Sequence, residues 1–77
     1  MSAATVATTQ CIRTRLVEVF RSYSSGELAS SAAVSKRTAE KWRANEAMPT
    51  AERIGTMMVS NARLRRQMFA IMRDLAQ

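Results

Sequence analysis

The sequence has 77 residues, 47% of them hydrophobic and only 5% aromatic, which allows one small domain with an aliphatic core. With two glycines, one proline and almost no alternating apolar residues, a β-rich fold is excluded and an all-α bundle of about five helices is expected. The net charge of +6 favours a polyanionic partner, and a protein that is merely basic is the alternative.

The residue types that most enzymes and cofactor sites need are scarce. Histidine is absent and Cys11 is the single thiol, so neither an internal disulfide nor a Cys/His metal site can form within one chain. There is no glycine-rich phosphate loop and no apolar run near ~18 residues. We therefore expect a non-enzyme without metal, cofactor, small-molecule substrate or membrane span, located in the cytoplasm at the nucleoid.

The chain is predicted to hold a flexible arm at residues 1–8 and a single domain at residues 9–77. The first helix is expected to begin between Thr5 and Thr9, where hydroxyl side chains can cap it. Apolar residues then recur at spacings of three and four and define a core-facing stripe: Ile12, Leu16, Val19, Phe20 and Tyr23. Cys11 is interpreted as a small packing residue.

The most informative stretch follows a small polar break at residues 22–26, after which Ser24 or Ser25 caps the next helix. The apolar spacing up to Trp42 fits two short helices joined by a tight turn at residues 33–35. On the second helix, Ala39 and Trp42 point inward, while Arg37 and Lys41 point outward. A narrow, positive outer face suits the DNA major groove, and a solvated charged face is the alternative.

This stretch resembles the helix-turn-helix of the lambda-repressor-like (Cro/repressor, XRE-type) DNA-binding family. Residues 28–29 resemble its apolar-plus-alanine pair, Val34 its buried residue after the turn, and Ser35 the cap of its recognition helix. The resemblance implies a small regulator that binds operator DNA as a dimer. Ala33 departs from the pattern, because glycine is usual there and a left-handed alanine costs about 1 kcal/mol.

Candidate DNA-binding residues follow from the outward face of the second helix and from the family resemblance. Arg37 can reach a guanine edge, and Glu40 can either accept from cytosine or pair with Lys36. The resemblance implies phosphate contacts at the start of the preceding helix and in the loop after the recognition helix. The full set is Ser25, Ser35, Lys36, Arg37, Thr38, Glu40, Lys41, Arg43 and Asn45.

The C-terminal third predicts two more helices, one capped by Thr50 and one that is capped at residues 60–61 and runs from about Ala62 to Ala76. The last helix carries two adjacent apolar stripes, more than a monomer of this size can cover. We therefore expect a homodimer, with a broader intramolecular core as the alternative. The predicted interface residues are Met57, Met68, Phe69, Met72 and Leu75.

Taken together, the residues predict a sequence-specific duplex-DNA-binding regulator, a Cro-like repressor of phage or bacterial type. A helical module that binds another protein is one alternative, and it requires an apolar outer face on the second helix of the pair. A non-specific nucleic-acid-binding protein is the other.

Overall fold

The computed structural model describes the backbone of residues 3–76 and the side chains of residues 11–76. In that part the chain forms α1 (Ala3–Arg21), α2 (Ser25–Ala32), α3 (Lys36–Arg43), α4 (Ala51–Ser60) and α5 (Ala62–Leu75). The predicted all-α bundle of about five helices is thereby confirmed. None of these helices is both long enough and apolar enough to cross a membrane.

The first helix begins at Ala3, earlier than the expected start between Thr5 and Thr9. Of the arm predicted at residues 1–8, residues 1 and 2 lie outside the described residues, and the backbone is helical from Ala3 onward. Cys11 and Ile12 are exposed, whereas Phe20 and Tyr23 are buried. Helix α1 therefore contributes buried side chains to the core mainly from its second half.

Each of the four later helices begins with a side chain that accepts a hydrogen bond from a free backbone N–H group. At α2 the cap is reciprocal: Ser24 Oγ accepts from Glu27 N at 3.1 Å, and Glu27 Oε1 accepts from Ser24 N at 3.1 Å. The caps of the other three helices are Ser35, Thr50 and Asn61. The sequence predicted these starts correctly because capping is a local property.

The turn after α2 is left-handed although the residue at this position is alanine and not glycine. Ala33 has φ 56° and ψ 46°, and the two N–H groups that follow the helix bond back into it, from Val34 to Ala29 and from Ala33 to Ser30. This pair of bonds satisfies the last carbonyls of α2 and reverses the chain into α3. The turn therefore forms without glycine.

The core lies where α1, α2, α3, α4 and α5 converge, and Phe20, Leu28, Met57 and Leu64 are its fully buried large side chains. Helix α2 packs on α3 and α4, while α1 packs on α3 and α5. Met57 and Met68 are 0% and 5% exposed. The prediction that these two residues form a dimer interface is therefore wrong, because the monomer already covers them.

Candidate nucleic-acid interface

Helix α3 is anchored along one side and open along the other. Ala39 is fully buried and Trp42 is 3% exposed, both within the core that α1 and α2 contribute to. The inward orientation predicted for these two residues is confirmed. Since an α-helix turns about 100° per residue, anchoring this side leaves the opposite side to solvent.

The open side, called the α3 face below, consists of four exposed charged residues: Lys36, Arg37, Glu40 and Lys41. Within residues 11–76, the ion pairs are Arg15 with Asp74 and Arg73 with Asp74, so none involves the α3 face. The pairing of Glu40 with Lys36, one of two expectations, is not formed. All four side chains are thus available to a ligand.

The start of α3 combines a good cap with an unfavourable charge. Ser35 Oγ accepts from Thr38 N at 3.2 Å and lies 3.0 Å from the Thr38 hydroxyl oxygen. The hydroxyl groups of Ser35 and Thr38 therefore hydrogen-bond to each other, and that of Ser35 also caps the start of α3. Lys36 and Arg37 follow in the first turn, where cations oppose the helix dipole and an anionic ligand is favoured.

Arg43 lies between the end of α3 and the start of α2 rather than in open solvent. Its Nη1 donates to Ser25 Oγ at 3.4 Å, and its Nε is buried without a hydrogen-bond partner among the described residues. Ser25 itself is only 8% exposed. The predicted contact between the Ser25 hydroxyl and DNA is therefore not possible in this arrangement. A phosphate at this position can be contacted only by the backbone N–H groups of the first turn of α2.

The residues after α3 adopt a second left-handed turn, at Asn45, whose φ is 60°. Glu46 N bonds to Lys41 O at 2.9 Å and Asn45 N to Trp42 O at 3.2 Å, which closes the helix end. The Asn45 side chain is not free, because its Oδ1 accepts from Arg13 Nε at 2.7 Å. A phosphate contact by Asn45 would have to use its amide nitrogen.

Two residues that the sequence prediction missed bind this end of α3. Arg13 reaches the side chain and the carbonyl oxygen of Asn45, and Arg21 Nε donates to Arg43 O at 2.8 Å. Both arginines belong to α1, 32 and 22 residues away along the chain. The only signal in the sequence is that they lie off the apolar stripe of α1.

The surface around α3 is therefore strongly basic. Six of the twelve basic residues are on α3 or hydrogen-bonded to its C-terminal end. Two shallow depressions meet along the helix, one lined by Arg37, Glu40, Lys41, Ala44 and Glu46 and the other by Arg21, Glu40, Arg43 and Ala44. Glu40 and Ala44 belong to both, so Arg21 lies on a surface continuous with the α3 face.

Glu27 lies at the start of α2, where its carboxylate takes part in the helix cap. The hydrogen bonds from the backbone and side chain of Ser24, with the charge of Arg63, hold the pKa of Glu27 below its ordinary value. Arg63 in turn lies over the Tyr23 ring, 5.3 Å from its centroid. The negative charge of Glu27 is thus used within the fold and complements the dipole of α2.

A second candidate surface is an open apolar groove of about 400 Å³ between α1, α4 and α5. Its lining includes Ile12, Leu16, Ile54, Met58, Met72 and Leu75. Among the predicted interface residues, Met72 is 65% exposed and Leu75 is half-buried, and both border the groove. Phe69 is 55% exposed on the adjacent side of α5.

No group of three potential metal ligands comes together among the described side chains. Comparison with models of protein families, with curated proteins and with solved structures found no match. Function is therefore inferred from the residues and geometry of this chain alone.

Proposed function

We propose that this protein is a sequence-specific duplex-DNA-binding regulator that inserts α3 into the major groove. The observation that carries the proposal is the α3 face, whose charges are exposed and form no ion pair within residues 11–76, while Ala39 and Trp42 hold the opposite side in the core. A helix whose buried side is packed in the core and whose exposed side carries cations can reach base edges without rearrangement.

In this proposal, Arg37 and its neighbours on α3 contact the bases and determine the sequence preference. Arg37 donates to the O6 and N7 atoms of guanine, Lys41 contacts bases or phosphates one turn further on, and Glu40 accepts from cytosine N4. Glu40 is suited to this role because it has no cationic partner within residues 11–76. Arg43 and the N–H groups at the start of α2 contact the phosphate backbone and set the register.

We further propose that two copies bind together, each burying the apolar groove against the other. The groove lining is almost free of polar atoms, so two basic chains meet there with the least electrostatic repulsion. A two-fold dimer would present two α3 helices about 34 Å apart, one turn of DNA. This arrangement predicts an operator with two symmetric half-sites.

The regulatory proposal follows the resemblance to Cro-like repressors: occupancy of an operator changes transcription, and the protein acts at the nucleoid in the cytoplasm. A protein-binding role for α3 is disfavoured because the outer face of this helix has Lys36, Arg37, Glu40 and Lys41 where an apolar surface would be needed. A non-specific nucleic-acid-binding protein would have the same charge but no base preference.

The decisive experiment selects duplexes from a random pool and measures the affinity of the winners against random duplex at several salt concentrations. We expect symmetric half-sites among the winners and a log–log salt slope of roughly −5 to −9 for a dimer. Equal affinity for selected and random duplex would contradict sequence-specific binding. A salt-independent affinity would contradict the role assigned to the basic surface.

A further inference from the structure

The C-terminal end of α3 is held from outside by two arginines of α1. Arg21 Nε donates to the carbonyl oxygen of Arg43, the last residue of α3, at 2.8 Å. Arg13 donates from Nε to Asn45 Oδ1 at 2.7 Å and from Nη2 to Asn45 O at 3.4 Å. The bond from Arg21 occupies a carbonyl oxygen that a helix end otherwise leaves without a partner, and the bonds from Arg13 hold the residue of the left-handed turn that follows.

Each of these guanidinium groups is only partly used. A guanidinium carries five N–H donors in a planar fork, and the bonds to α3 take one of them in Arg21 and two in Arg13. Both residues are exposed, and neither forms an ion pair within residues 11–76. The remaining N–H groups have no other partner among the described side chains, so they can bind an anion while Nε keeps its bond at the end of α3.

Other arginines of the chain are engaged with the fold away from α3. Arg15, on the same helix, pairs with Asp74 of α5 at 3.2 Å. Arg65 donates to Met58 O, and Arg63 lies over the Tyr23 ring. Arg21 differs from these because it lines a depression that has Glu40 and Ala44 in common with the depression along the α3 face. Arg13 differs because it binds Asn45, just beyond the end of α3.

We infer that Arg13 and Arg21 contact DNA phosphates beside the inserted α3, with the same guanidinium groups that hold the end of that helix. The inference rests on the proposed function and extends its contact surface from α3 to α1. In the complex, the strand that passes the C-terminal end of α3 lies against α1. The same two side chains thus bind phosphates and hold the orientation of α3.

The test compares Arg13→Gln, Arg21→Gln and Arg15→Gln in binding to a labelled random-sequence duplex of about two helical turns, by fluorescence anisotropy across salt concentrations. Arg15→Gln is the matched control, since it removes the same charge from the same helix on the α5 side. We expect Arg13→Gln and Arg21→Gln each to reduce the steepness of the salt slope by about 1 per protomer, with Arg15→Gln unchanged.

A purely structural role would lower the affinity of Arg21→Gln without changing its salt slope, and Arg21→Lys serves as the variant that retains the charge. Lysine keeps the positive charge but lacks the planar fork, so this variant should keep the wild-type slope. A lower affinity of Arg21→Gln with an unchanged slope would overturn the inference, and so would slopes equal to that of Arg15→Gln. Thermal unfolding of each variant verifies that it is folded. If wild-type protein itself binds without salt dependence, the proposed function fails before the variants are compared.

Discussion

Phe20 of α1 and Trp42 of α3 pack in the core with ring centroids 6.1 Å apart and ring planes inclined by 39°. Both side chains are buried, and this centroid distance lies in the range that is favourable for aromatic pairs. The contact fixes which side of α3 faces inward, because Trp42 and Ala39 lie on the same side of the helix. The outward direction of Arg37 and Lys41 is thus a consequence of packing against α1.

Substituting Arg37 by alanine should affect base preference and leave folding intact. The Arg37 side chain is exposed and forms no ion pair with the side chains that the structure describes, so the substitution should weaken only DNA binding, by about 1–3 kcal/mol on a selected duplex. Binding to selected and random duplexes, with a melting temperature for each variant, checks this. Arg43→Ala provides the contrast: it should weaken all duplexes alike and lower stability, because Arg43 is half-buried and bonded to Ser25. Equal losses on both duplexes for Arg37→Ala would refute base reading.

Replacing Ala33 by glycine should stabilise the protein. Ala33 has φ 56°, a left-handed conformation that costs about 1 kcal/mol for a residue with a β-carbon, partly offset by the greater unfolded-state freedom of glycine. We expect a gain of roughly 0.5 kcal/mol in urea unfolding. Ala62→Gly, at the exposed first position of α5, is the control and should not stabilise. A destabilised Ala33→Gly would show that the turn is not strained.

Charge placed in the apolar groove should separate the proposed dimer. Met72 borders the groove and is 65% exposed, so Met72→Asp can be accommodated in a folded monomer while disfavouring burial against a second copy. Sedimentation or light scattering should report half the wild-type mass. Val59→Asp is the matched control, since Val59 is 84% exposed and does not line the groove. Wild-type protein that is monomeric both free and on a two-half-site duplex would rule out the dimer.

Glu27 should make stability depend on pH in the acidic range. Its pKa is lowered in the folded state by the bonds to Ser24, so folding favours the ionised form. This contribution is complete above the unfolded pKa of about 4.3 and is lost as the pH falls through the lower folded pKa. Glu27→Gln keeps a cap acceptor but cannot ionise. The difference in melting temperature between wild type and this variant should shrink below about pH 4.3, and a difference independent of pH would contradict the assignment.

Much of the fold was predictable because it depends on neighbours along the chain. The caps at Ser35, Thr50 and Asn61 and the inward side of α3 all follow from residues within a few positions of each other. Capping bonds and helical periodicity act over one or two turns. The open α3 face was predicted for the same reason.

The sequence by itself determined that this chain folds as helices, where four of them begin, and that α3 is anchored on one side and charged on the other. Only the tertiary structure decided that Arg13 and Arg21 bind the end of α3, that Arg43 lies against Ser25, and that Met57 and Met68 are buried. These contacts join side chains on different helices. Their formation depends on how whole helices pack, and apolar periodicity shows which residues can be buried but not which helix will cover them.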